Sequence, residues 1–326
     1  MNCHPHSSTE ALSPYTREGP GGPTPTTTTQ IQFSQRLRGV LGRLNARMRD
    51  AIIKRDLFGL REQNGREALV EDVPDEVFET STNRAAVLGF LLWVRQQLDE
   101  NFLTVVSEDT NQFLRKAYAR GLENVANQLD DADLTLAPTD TDDLLGRPFH
   151  QQELQTLFTR TYENLVSVRD DVAQAVRDEL IEGFREGENP TKIARRLTDR
   201  VDSIGKNRST MIARSEVMNA HSTGALNRIQ EVNDSRPEQD DELVTGHGRW
   251  DAAMGQPNTC PFCRAMNGTA LTAREMATTV VQFRGDTYRL KPPAHVSGRC
   301  NINVWVGGSI TEPLEERLPA EVTLLT

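Results

Sequence analysis

The chain has 326 residues, room for about two domains with cores of their own, and its 37 basic and 47 acidic side chains give a net charge of −10 and a pI near 5.2. That balance excludes a surface built throughout for nucleic acid. The longest apolar run, Ala85 to Val94, is interrupted by Gly89 and falls far short of the ~20 residues a membrane-spanning helix needs, so no membrane partner is expected.

The opening Met1 to His6 has neither the basic cluster nor the apolar core of a secretory signal, which argues against an oxidising destination and a disulfide framework. Residues 1–30 hold Gly19-Pro20-Gly21-Gly22-Pro23 and four consecutive threonines, with too few large apolar groups to offset the entropy of ordering, and read as a disordered arm. Helix is then predicted from Phe33, Leu37, Leu41, Leu44, Met48 and Ile52, which recur at steps of three and four. Between Arg36 and Arg61 eight basic residues face only Asp50 and Asp56, whereas eighteen carboxylates face six basic residues between Glu62 and Asp143. The arginines on the first helix, Arg36, Arg38, Arg43 and Arg47, with Arg195 and Arg196 in the basic stretch 192–214, read either as a solvated face or as contacts to DNA or an acidic partner.

Further helices are predicted over 83–101 and 109–128. Asp130 to Gly146 follows, where clustered like charges and Pro138 oppose both helix and core, making it the expected boundary of a helical domain spanning 31–147. Helix resumes over about 149–185 and ends at Gly187-Glu188-Asn189-Pro190, where Asn189 can cap and Pro190 can open a short helix to Val201. Another is expected from Lys206 to Glu231. Beyond Asn233 strand signals appear at 248–250, 279–283, 287–290 and 301–306, with Arg284 to Asp286 as a hairpin turn and Asn267-Gly268 as another turn. The fold class expected is α+β: mainly α-helical, with a small zinc-stapled β-rich C-terminal region over 240–306 and an extended tail over 307–326.

The staple is read from Cys260-Pro-Phe-Cys263 and His295-Val-Ser-Gly-Arg-Cys300. Two cysteines two residues apart wrap a tight turn around one ion, and a second pair from a distant segment closes a tetrahedron. Thiolates and imidazole select Zn2+ over calcium or magnesium, and four protein ligands make the site structural. Unrelated thiols, or a disulfide to Cys300, are the competing readings.

In order, Ala213-Arg214-Ser215-Glu216 with Asn219, then Trp250, then Cys260 and Cys263 with Asn267-Gly268, then Pro292-Pro293-Ala294-His295 and Arg299-Cys300 resemble the phage Mu protein F-like family of minor head proteins. The resemblance covers about 185–306, within a region 148–326 assigned to the Mu F-like domain (helices over 148–231). It departs from the family pattern at Gly298, where members usually carry a further cysteine, and at Gln256 to Thr259, where an aspartate is usual. It implies a virion component of head assembly, in the head interior or at the portal vertex and in host cytoplasm during assembly, with the portal protein and capsid or scaffold proteins as partners. Non-specific contact with packaged genomic DNA is a further expectation. On a helix Arg214 and Glu216 stand about 200° apart and cannot pair with each other, so Arg214, Glu216, Asn219 and Trp250 are expected to form a structural polar network rather than a catalytic set. A zinc-containing nuclease or an ADP-ribosyltransferase-like enzyme is the alternative.

Overall fold

Apolar stripes of helical period dominate the chain, and the computed structural model turns them into long helices; it describes residues 26–58, 83–131, 140–235, 244–254, 259–296, 298–306 and 310–325. Helix α1 spans Thr27–Ile53, α2 Asn83–Gln97, α3 Val105–Asp130, α4 Thr141–Gly146, α5 Pro148–Arg185 and α6 Pro190–Ser235. A π-helical turn over Leu98–Thr104 joins α2 to α3.

Three expected interruptions are absent. The arm read as disordered to residue 30 is helical from Thr27, because Thr26 and Thr29 are buried: the Thr26 hydroxyl meets the Met218 sulfur at 3.3 Å and accepts from the Gln30 amide at 2.9 Å. Residues 1–25 lie outside the described residues. The gap expected between 101 and 109 is bridged by the π turn, which buries Leu98, Phe102 and Leu103. The break expected between 201 and 206 does not occur either. Gly205 stays helical, and a Cβ there would come within 3.0 Å of the Leu41 side chain, so this glycine makes room for a neighbour rather than ending a helix. Part of the acidic stretch is α4, capped by the Asp140 carboxylate accepting from the Asp142 N–H at 2.9 Å.

The chain divides into two compact units that alternate along the sequence. The first comprises residues through Ile31, Gln112–Phe158 and Met211–Thr326; the second comprises Gln32–Asn111 and Thr159–Thr210. The unit boundaries therefore fall inside long helices, and the described part of the acidic stretch 130–146 lies within the first unit.

The second unit is held by apolar stripes supplemented by ion pairs. Phe33, Leu37, Leu41, Leu44 and Met48 of α1 are buried, and Phe58 meets Phe90 and Phe184 edge-on at 5.6 and 5.1 Å. Arg169 bridges Asp99 and Asp170, each at 2.9 Å, and Arg208 binds Asp171 at 2.7 Å.

In the first unit α3 crosses α6 at backbone contact. A Cβ at Gly121 would overlap the His221 carbonyl oxygen, and one at Gly224 would overlap the Tyr118 carbonyl oxygen, so only glycine allows this approach. One turn along, the Tyr118 hydroxyl accepts from the Asn227 amide at 2.7 Å and donates to His150 Nδ1 at 2.7 Å, while His150 Nε2 donates to Glu231 at 2.9 Å. Burial works against the Glu231 carboxylate, but its bonds to His150 and Arg228 outweigh this and hold its pKa below the ordinary range.

Two antiparallel sheets follow. Strand β1 (Val244–Asp251) lies between β2 (Ala270–Thr272) and β5 (Asn301–Val306), and β3 (Val280–Phe283) lies between β4 (Asp286–Arg289) and β6 (Val322–Leu324). The β3–β4 loop is shorter than expected. Phe283 pairs with Asp286, and the two residues between, Arg284 and Gly285, both have positive φ (52° and 89°), the signature of a type I′ turn. Short helices α7 (Pro261–Met266), α8 (Ala273–Thr278) and α9 (Leu314–Arg317) had no sequence expectation. The tail is not simply extended: α9 anchors through Arg317, which binds the Glu275 carboxylate and donates to the Ala270 carbonyl at 2.9 Å, and β6 then completes the second sheet.

Candidate metal centre

Pro261 at the first turn of α7 leaves Cys260 at the N-cap, where its sulfur accepts the Cys263 N–H at 3.2 Å. This one-turn geometry aims both sulfurs to one side. Asn267 closes α7, its side-chain oxygen accepting from the Ala252 N–H at 2.9 Å, and Gly268 at φ 86° carries the chain back to bond the Trp250 carbonyl at 2.8 Å. The turn expected at Asn267-Gly268 thus ties α7 to β1. Behind it Phe262 stacks on Tyr288 at 4.1 Å and meets Trp250 edge-on at 5.8 Å, so the α7 end of the site stands on an aromatic core.

His295 arrives from the loop between β4 and β5, in which the Pro292–Pro293 bond is cis. Its Nδ1 donates to the Val296 carbonyl at 3.0 Å, which fixes the tautomer and leaves Nε2 facing the Cys263 sulfur at 3.3 Å. The ligand atoms of Cys260, Cys263 and His295 all lie within 4.8 Å of one another. No disulfide joins the described cysteines.

Cys300, the fourth residue expected from spacing, is outside that trio but buried against Cys263. The charges are uneven. The bond from Cys263 overcomes burial to hold the Cys260 thiol down to about 4, with His295 assisting, whereas contacts to Cys260 and Cys300 push Cys263 well above its usual range. Burial lowers the His295 pKa, but the Cys260 sulfur reverses this and the net direction is upward. Cys300 is lowered by its contact with Cys263 and, against burial, by the nearby Trp250 indole, although that N–H makes no hydrogen bond of normal geometry. Cysteines lowered in pKa beside a raised imidazole and a raised thiol form the donor set a borderline-soft cation takes up on releasing protons.

The other singled-out residues separate. Glu216 and Asn219 are buried in α6 and Arg214 is half-buried there; Arg214 and Glu216 both have interaction partners. Trp250 belongs to the aromatic core instead, fully buried in β1. Of the arginines read as possible DNA or partner contacts, four are engaged within the chain. Arg36 binds Asp109 at 2.5 Å, Arg38 donates to Thr210 at 2.6 Å and Arg47 to Gln97 at 2.6 Å, while Arg196 binds Glu179, Glu186 and Glu188 at 2.9 to 3.3 Å. Arg43 and Arg195 are exposed.

The sequence reading missed the buried His150 and His221. Burial, then Arg120, lowers the His221 pKa to about 4 against an upward contribution from the nearby Asn301, although neither ring nitrogen makes a hydrogen bond of normal geometry. No local pattern marks either histidine; Tyr118 and Glu231 reach His150 only in the fold.

Residues 174–303 match the family described as Phage Mu protein F like protein. The chain carries a Mu F-like region. The matched span runs from α5 through α6 to β5 and contains Arg214, Glu216, Trp250 and all four sulfur and imidazole candidates. No curated protein and no solved structure matches the chain. Among the described residues no helix is long and apolar enough to cross a membrane.

Proposed function

We propose that this chain is a minor head protein of a tailed virus, acting in head morphogenesis, and that one structural zinc ion holds its C-terminal β region. The observation that carries this reading is the coincidence of the Mu F-like match with the converged Cys260, Cys263 and His295 inside it. Cys300, already against Cys263, supplies the fourth ligand of a closed site, which leaves no open position for water and fits a scaffold rather than a catalyst. The portal protein and capsid or scaffold proteins are the partners this role implies, with the virion as location. DNA contact has weaker support, since Arg36, Arg38, Arg47 and Arg196 are spent on partners inside the chain.

An enzymatic role is disfavoured by two placements. The ADP-ribosyltransferase-like reading needs Arg214 on a strand and the nuclease reading needs His247 beside His295 as a metal ligand, whereas Arg214 lies within the long helix α6 and His247 is buried in β1. The test is co-expression with the portal and major capsid proteins of the same virus: co-purification with the portal ring or heads supports the role. Absence from both, with heads that assemble normally without this chain, contradicts it.

A further inference from the structure

Within the second unit, α1 runs beside the α2–π–α3 segment in opposite directions, as the pairs Arg36 with Asp109 and Arg47 with Gln97 show. Arg36, Arg43 and Arg47, at spacings of seven and four, share one edge of α1. The outer two each grip a side chain across the gap. Arg43, between them, is exposed and among the described residues has no hydrogen bond or ion pair.

What faces Arg43 is the π turn. A seven-residue π segment departs from the α register, and such segments are found frequently at functional sites. Here it leaves a shallow pocket lined by Val40, Leu44 and Phe102 at the floor and by Arg43, Gln97 and Asn101 at the rim. The rim is already ordered: Gln97 Oε1 accepts both from Arg47 at 2.6 Å and from Asn101 at 3.0 Å. One free guanidinium over an apolar floor, with its neighbours fixed, is a receptor for a single carboxylate that carries aliphatic groups beside it.

We propose that this pocket docks an acidic segment of a partner protein, a Glu or Asp side chain binding Arg43 and an adjacent aliphatic side chain covering Val40, Leu44 and Phe102. A protein is favoured over DNA by charge. A phosphate backbone needs a run of free cations, whereas Arg36 and Arg47, which flank Arg43 on this edge, are occupied by Asp109 and Gln97.

The test uses the full chain and a fluorescein-labelled hexapeptide alternating glutamate and leucine, read by anisotropy at low and high salt. A Gln-for-Glu peptide and a labelled DNA duplex are the controls. Binding of the acidic peptide alone, weakened at least tenfold by Arg43→Gln and left unchanged by Arg49→Gln, supports the proposal; Arg49 is an exposed arginine of α1 outside the pocket. Circular dichroism of both variants shows whether α1 is intact. No peptide binding up to millimolar concentration overturns the proposal, as does an equal loss in both variants. DNA binding that Arg43→Gln abolishes while the peptide stays unbound assigns the arginine to nucleic acid. A dimer that Arg43→Gln dissolves, again without peptide binding, assigns the pocket to a second copy; both results overturn it.

Discussion

The second compact unit and the β region of the first are stabilised in different ways. In the former, each helix buries a continuous apolar stripe, and ion pairs such as Arg169 with Asp99 and Asp170 lie at its margins. In the latter, strands of three to eight residues surround an aromatic centre of Trp250, Phe262, Phe283 and Tyr288 whose core continues into Val125 of α3 and Ile229 of α6. The Cys260 turn and the His295 loop join it at one edge. Many weak, repeated contacts tolerate the loss of any one, whereas the few specific contacts that join the Cys260 turn to the His295 loop do not. The β region should therefore fail at single residues and the helical unit should not.

The largest difference is expected at the metal centre. Cys263→Ser removes the donor that touches both His295 and Cys300, and structural zinc is worth ~10–16 kcal/mol in small peptides. Hydrogen exchange should show residues 244–306 losing protection while α1, α2 and the described core of the second unit keep theirs. Uniform loss in both regions would break the comparison.

Next come the glycines, whose effects should have opposite signs. Gly224→Ala drives a methyl into the Tyr118 carbonyl and should cost about 1–3 kcal/mol or more in denaturant unfolding. Gly42, in α1 with nothing within 4 Å of an added methyl, should gain about 0.5–1 kcal/mol as Ala. Equal effects at the two sites would mean that the α3–α6 crossing is not the constraint it looks to be.

A smaller effect belongs to the tail. Glu275 closes the capping box of α8 with Thr272 and binds Arg317 of α9. Burial tends to raise its pKa, but Arg317 and the Thr272 N–H hold it below 4.5. A carboxylate depressed on folding contributes stability that is present in full above its unfolded pKa and lost as pH falls through the folded value. Glu275→Gln should thus cost about 1.5–3 kcal/mol at pH 7 and progressively less below about pH 4.5, measured by urea unfolding across pH.

The same contrast governs what was legible in the sequence. Helices and the Cys260, Cys263 and His295 cluster follow from local spacing, which a one-dimensional pattern contains. The strand Asn301–Val306 was equally readable from its alternation and β-branched residues. Continuity through Gly205 and through the π turn was not, because each depends on a partner elsewhere: Leu41 in the first case, the α1 edge in the second. Nor could spacing reveal that Arg36, Arg38, Arg47 and Arg196 are engaged, since Asp109, Thr210, Gln97 and Glu179 reach them only in the fold. Strands β2 and β6, each three residues long, are below the length at which alternation carries a signal.

The most direct measurement is hydrogen exchange on the purified full chain, with its metal content determined, before and after a zinc chelator. The account predicts about one zinc per chain and a loss of protection confined to the β region after removal. Fully protected strands in protein that contains no zinc would contradict it.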